Sequence, residues 1–312
     1  MKTAFLFPGQ GAQTVGMGAD VAQAFPVAAE LFQKANDIVG FDLRQMCFEG
    51  PAEALNTTTM SQPAIFATSA AILEVLRSES ATAAIVPDVT AGLSLGEYTA
   101  LYAAGAISFE DGLKLVKKRG EAMQAAADAT EGSMVSVMGL DAEKVRQLCD
   151  DAAEGQVLEP VNFNCPGQIV ISGDTAACER AAERAAEYGA IKAIRLEVAG
   201  AFHTSMMSSA AEALREALGQ SQITRPEKPL TLANINAEYY QNAEEIAEGL
   251  AHQLTSPILW QKCMERLLAE GVERFYEIGP GRVLTGLMKR IDRKTRVVNV
   301  SSAEGLKALI EG

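Results

Sequence analysis

The 312-residue sequence contains no apolar run near the roughly 20 residues that a membrane-spanning helix needs. It has no C-x-x-C pair. Its five cysteines (Cys47, Cys149, Cys165, Cys178, Cys263) are scattered and odd in number, which speaks against a disulfide framework or a zinc site. Positive charge is short: Lys+Arg 27 against Asp+Glu 40 gives a net charge of −13. That balance argues against general nucleic-acid binding, and it repels an anionic substrate at long range, so binding one requires a local positive patch. Histidine is scarcer still, with only His203 and His252. The apolar stretch Ala4–Phe7 after Lys2 is too short for the hydrophobic region of a secretory signal, so a cytoplasmic protein is expected. No repeat or low-complexity segment stands out.

What is present is an ordinary globular composition, 48% hydrophobic and 21% charged, in a chain long enough for about two domains. Its focal stretch is Val89-Thr90-Ala91-Gly92-Leu93-Ser94-Leu95-Gly96-Glu97-Tyr98. A β-branched run enters Gly-x-Ser-x-Gly and helix-forming residues leave it, so the spacing predicts strand, sharp turn and helix with Ser94 at the apex. Such a turn strains the serine and needs glycines beside it, and it aims the hydroxyl outward where helix N–H groups meet negative charge. An ordinary Gly/Ser turn is the alternative.

In chain order, Thr3 to Phe7 reads as a buried strand followed by the loop Pro8-Gly9-Gln10-Gly11. Its spacing is not that of a dinucleotide fingerprint. Helices are expected over Gly18–Phe25, Ala28–Val39 and Pro63–Ser78, with the Thr57–Gln62 run as a separator, and an amphipathic one over Phe109 to Ala127. From about Gly132 the texture changes to Met134–Met138 strand, Asp141–Ala153 helix, Val157–Asn164 and Gln168–Ser172 strands, Thr175–Tyr188 helix and Ile191–Val198 strand. That order is β-α-β-β-α-β. The α/β alternation then resumes with the Ser205–Gly219 helix, a Leu230–Asn234 strand, the Ala243–Leu254 and Pro257–Glu270 helices, an Arg274–Ile278 strand, a helix bearing Lys289 and Arg290, and an Arg296–Val300 strand. The expected fold is an α/β-hydrolase-like core with a parallel sheet (1–128 and 200–312) and an inserted ferredoxin-like α+β subdomain (129–199).

A serine hydroxyl needs a base. His252 sits inside a predicted helix, where a solvated role is the default. His203 lies in the Gly200-Ala201-Phe202 loop at a strand-to-helix junction, where catalytic groups tend to be placed, although a capped loop histidine is the alternative. Asp174 is the kind of acidic residue that would orient the imidazole, but it falls in the insertion, and a backbone carbonyl can serve instead. Arg119 reads equally as an anion clamp and as a solvated member of the Lys117-Lys118-Arg119 face. Lys289 and Arg290, beside Gly279-Pro280-Gly281, lead the candidates for the positive patch, with Lys117 and Lys118 behind them.

Five elements in order, namely Gly9-Gln10-Gly11, Gly92-x-Ser94-x-Gly96-Glu97, Arg119, Gly200-Ala201-Phe202-His203 and Gln253-Leu254-x-x-Pro257-x-x-Trp260, make the whole chain resemble the malonyl-CoA:acyl carrier protein transacylase family of type II fatty acid synthesis. The resemblance implies that Ser94 takes malonyl from coenzyme A as an oxyester and passes it to the phosphopantetheine thiol of acyl carrier protein. It implies His203 as base, oriented by the backbone carbonyl of Gln253, and the backbone N–H groups of Gln10 and Leu95 as oxyanion hole. Arg119 would hold the malonyl carboxylate, with Met123, Asn162, Phe202 and Gln253 also counted among the substrate-binding residues. No cofactor or metal is implied beyond the substrate thioester and the carrier's phosphopantetheine, and a monomer is expected. Family members commonly have histidine directly before the serine, where this chain has Leu93. The rival readings are a serine hydrolase, from which Arg119 discriminates, and a non-catalytic carrier-docking module, against which Ser94 and His203 together argue.

Overall fold

A computed structural model describes residues 1–311. Its centre is strand β1 (Lys2–Phe7), flanked in parallel by β2 (Val89–Gly92) and, on the other side, by β8 (Val272–Ile278). A short β7 (Leu230–Thr231) and β9 (Val297–Val300) complete an all-parallel sheet of order β7-β2-β1-β8-β9. Side chains alternate across a strand, and β1 uses both faces. Phe5 and Phe7 join the core built with the Pro26–Val39, Thr58–Ser78 and Phe109–Asp128 helices, whereas Ala4 and Leu6 join the core under the Trp260–Ala269 and Val283–Ile291 helices. Burial on both faces explains why β1 is a continuous apolar run rather than an alternating one.

Between residues 132 and 195 lies a second, antiparallel sheet of order β4-β5-β3-β6, formed by β3 (Gly132–Met138), β4 (Leu158–Cys165), β5 (Gln168–Asp174) and β6 (Lys192–Arg195). The helices Ala142–Ala153 and Thr175–Arg184 cover one face through Val135, Val137, Ile169 and Ile171. The opposite face, with Met134, Ser136, Asn164 and Val170, looks into a cleft over the large sheet. The two layers are stitched by a parallel bridge between Asn162 and Ile258, with Phe163 N–H donating to Ile258 O and Ile258 N–H to Val161 O.

Several boundaries differ from the sequence expectation, each for a packing reason. The helix expected from Pro63 starts at Thr58, because Thr58, Ser61 and Gln62 are buried and Pro63 forfeits only one backbone bond. The helix expected from Pro257 starts at Trp260, since Ile258 is engaged with β4. The strand expected over Leu230–Asn234 stops at Thr231, where the chain turns back so that Ala233 N–H meets Glu238 O. The Ala243–Leu254 helix ends at His252 and passes into a 3-10 turn, Gln253–Thr255. The strand expected over Ile191–Val198 is cut to Lys192–Arg195, and helices over Leu43–Glu49 and Ala52–Leu55 were not foreseen.

Candidate active site

The elbow forms at the C-terminal end of β2. Gly92 pairs with Phe7, and Ser94 follows with φ 52°, a left-handed conformation that costs an L-residue energy and persists only where the surroundings enforce it. They do so through close backbone approach. A Cβ on Gly96 would lie 2.1 Å from Phe7 O, and one on Gly9 would lie 2.2 Å from Leu93 O and 3.7 Å from Leu95 N. The loop after β1 is thus pressed against the turn after β2. Asn234 pins the turn from the far side: its Oδ1 accepts from Ser94 N–H at 2.7 Å and its Nδ2 donates to Gly92 O at 2.7 Å.

Ser94 Oγ lies 3.0 Å from His203 Nε2, and His203 Nδ1 lies 2.7 Å from Gln253 O. A carbonyl only accepts, so Nδ1 carries the hydrogen and Nε2 is the bare nitrogen that faces the serine hydroxyl. His203 also has a left-handed backbone, φ 65°, and is 4% exposed. Burial first, and the nearby Arg119 charge second, push its imidazole down to about 3, so it is neutral at ordinary pH. Asp174 is not brought to this site and instead accepts from Val157 N–H in the small sheet. His252 is exposed on its helix, and all five cysteines are buried and free.

Arg119 is 1% exposed, not part of the solvated lysine face. Its guanidinium donates to Ser94 Oγ at 3.0 Å, Gln253 Oε1 at 2.9 Å and Gln62 Oε1 at 2.8 Å, and stands 5.6 Å over the Tyr98 ring. Its Nε–H has no acceptor among the described residues. A buried, incompletely bonded guanidinium beside a serine hydroxyl can pair with a carboxylate.

Gln253 joins the site from several directions. Its backbone carbonyl holds His203, its Oε1 accepts from Arg119, and its Nε2 donates to Ser94 O at 3.0 Å and to Glu97 Oε2 at 2.7 Å. Glu97, 1% exposed, also accepts from Asn234 N–H at 3.3 Å and from the Tyr240 hydroxyl. Gln62, Asn234 and Tyr240 were not picked out in the sequence, and Glu97 entered only as part of the serine motif. Each is a lone polar residue without spacing to flag it. The one available signal was polarity in apolar surroundings, as in Gln62 beside the buried run that begins at Ala64.

The cleft, about 490 Å³, is lined by Gln10, Leu93, Ser94, Met123, Asn162, Phe202 and His203 among others, with Val283 and Leu287 on one wall. Among the described residues the backbone N–H groups of Gln10 and Leu95 meet no acceptor. Lys289 and Arg290 lie outside the cleft, exposed on the same helix as Val283 and Leu287. With Arg293, Gly286 and Pro166 they line an open groove of about 630 Å³. Arg290 donates to Gln168 Oε1, Pro166 O and Gly167 O at 3.4 Å, and Lys117 is tied to Val39 O at 3.0 Å.

The acyl transferase domain family matches residues 4–308. A malonyl CoA-acyl carrier protein transacylase of Bacillus subtilis is 44% identical over 99% of this chain and 96% of that protein. The solved acyl carrier protein S-malonyltransferase of Vibrio cholerae has 41% identity and a TM-score of 0.93, covering 99% of this chain and 100% of the other. A malonyl-transacylase solved in complex with a type II PKS acyl-carrier protein has 40% identity and a TM-score of 0.94, covering 100% of this chain and 99% of the other.

Proposed function

The chain belongs to the acyl transferase domain family and, within it, to the malonyl-CoA:acyl carrier protein transacylases, and from that premise we propose that it moves malonyl from malonyl-CoA to the phosphopantetheine thiol of acyl carrier protein through a Ser94 malonyl-enzyme. The observation that carries this reading is the guanidinium of Arg119 at 3.0 Å from Ser94 Oγ, beside the serine–histidine pair. His203 Nε2 takes the hydroxyl proton as Ser94 Oγ attacks the thioester carbonyl. The developing oxyanion faces the N–H groups of Gln10 and Leu95. Collapse expels the coenzyme A thiolate, which His203 protonates. The carrier thiol then repeats the sequence in reverse, attacking the Ser94 ester and receiving malonyl. No resident cofactor takes part, and one chain supplies every group named, so we read the enzyme as an acyltransferase active as a monomer. Incubation with malonyl-CoA should add one malonyl mass to the intact protein. Addition of acyl carrier protein should remove that mass and place it on the carrier. Loss of the label to water at the same rate without carrier would make the protein a hydrolase.

Lys289 and Arg290 are exposed on the helix whose Val283 and Leu287 wall the cleft, and with Arg293 they line a groove to which we assign the acidic carrier. Charge reversal by Lys289→Glu with Arg290→Glu should raise the KM for the carrier with little change in kcat, and more so at low ionic strength, where screening is weak. An unchanged KM at low salt would remove these residues from the interface.

A further inference from the structure

Two opposite charges are buried behind the nucleophile without touching. Arg119 contacts Gln62, Ser94, Gln253 and the Tyr98 ring but no carboxylate, and Glu97 contacts Tyr240, Gln253 and Asn234 N–H but no cation. The side-chain amide of Gln253 stands between them. Its Nε2 donates to Glu97 at 2.7 Å, and its Oε1 accepts from Arg119 at 2.9 Å. A carboxylate one amide away stabilises a buried guanidinium yet leaves its donors open to a second carboxylate. A directly bonded Glu97 would occupy them.

We propose that Glu97 is a specificity-determining positioning residue: it balances Arg119 through Gln253 while the acyl site is empty and takes up a proton when the acyl carboxylate enters. The inference rests on the malonyl reading above. Two carboxylates around one guanidinium in a buried site repel, and one of them must be neutralised. The acyl carboxylate bonds Arg119 directly, so Glu97 is the one that yields. Its neighbours tolerate both states. Tyr240 donates to the carboxylate, and the same hydroxyl accepts from the neutral acid, while Gln253 and Asn234 N–H remain donors to the other oxygen.

The other ionisable groups around Glu97 do not titrate near neutrality. Burial raises the Tyr98, Tyr240 and Cys263 groups well above their usual ranges, and His203 is held at about 3. Arg119, although lowered by burial, stays charged. Burial lifts the empty-site carboxyl of Glu97 itself to about 7, against the opposing bonds from Tyr240, Gln253 and Asn234 N–H and the charge of Arg119.

The test loads the full-length enzyme at pH 7 in weak buffer with stoichiometric malonyl-CoA, or with acetyl-CoA in parallel. A pH indicator counts protons while intact mass counts acyl groups. Transfer itself moves the serine proton to the coenzyme A thiol, which is protonated at this pH, so the proton balance of the acyl step is zero for both substrates. Malonyl loading should take up about half a proton per site and acetyl loading none. Above pH 7 the malonyl-to-acetyl ratio of loading rates should fall, approaching about tenfold per pH unit, because loading then requires a proton. In Glu97→Gln that ratio should not depend on pH. No mass gain on Ser94 would overturn the transacylase reading and this proposal with it. Malonylation with equal proton counts for the two substrates would overturn the proposal alone. That comparison needs only the wild-type protein, so it decides even if Glu97→Gln fails to fold, and an unchanged pH slope in a folded Glu97→Gln would also overturn it.

Discussion

His203→Ala is expected to slow Ser94 acylation by a factor on the order of 10²–10⁴, the usual range for a positioned general base, while His252→Ala leaves the rate unchanged. The difference follows from placement. His203 Nε2 is 3.0 Å from Ser94 Oγ, and its other nitrogen is fixed by Gln253 O at 2.7 Å, whereas His252 is exposed on its helix. The same geometry sets a pH dependence. A base works when unprotonated, so its contribution is present above its pKa and disappears as pH falls through it. Because burial and Arg119 hold His203 at about 3, kcat/KM for malonyl-CoA should show no acidic limb in the ordinary histidine range near 6.5. Stopped-flow acylation of the two variants and a profile from pH 4 to 8 check both statements. Equal losses in the two variants, or an acidic limb near 6.5 that His203→Ala removes, would show that the imidazole does not meet the serine as drawn.

The elements legible in the sequence are those whose local signal and tertiary role agree. The β-branched run into Gly92-Leu93-Ser94-Leu95-Gly96 marks strand, turn and helix because those glycines have no room for a side chain in the folded chain either. The alternation from Gly132 to Arg195 was readable because its strands set an apolar face on the helices and a face carrying Ser136 and Asn164 on the cleft. The groups that hold the site in place were not readable. Gln62 lies in the turn before Pro63, which reads as a separator in the sequence, yet it is helical and buried with Thr58 and Ser61. Asn234 reaches Ser94 because β7 ends at Thr231, an ending set by pairing with Glu238 rather than by any breaker. Arg119 follows two lysines and looks like one more solvated charge. The helix turns it inward, while Lys118 stays exposed. Such residues are defined by partners more than 50 positions away in the chain, and a linear pattern does not register them.

Arg119→Ala should separate malonyl from acetyl transfer. A malonyl carboxylate entering this site leaves water for a pocket where Gln62 and Gln253 both face the guanidinium as acceptors, so without Arg119 it meets no compensating cation. Removing one partner of a buried ion pair costs about 3–5 kcal/mol, so malonyl transfer should fall by a factor on the order of 10²–10⁴. Acetyl carries no charge and should lose far less, limited to the donor that Arg119 gives Ser94 Oγ. Phe202 acts on a different part of the acyl group. Its ring is 4% exposed and lines the cleft beside His203, and it is expected to crowd a substituent on the α-carbon of a Ser94-bound acyl group. One methyl group is worth only about 1–3 kcal/mol of discrimination, so wild type should pass a small, measurable amount of methylmalonyl, and Phe202→Ser should pass more. Competition among malonyl-, methylmalonyl- and acetyl-CoA, read as acyl masses on Ser94, measures both effects in one assay. If Arg119→Ala lowered malonyl and acetyl loading by the same factor, the arginine would serve the serine and not the carboxylate. The preference for malonyl would then have to arise from the cleft walls alone.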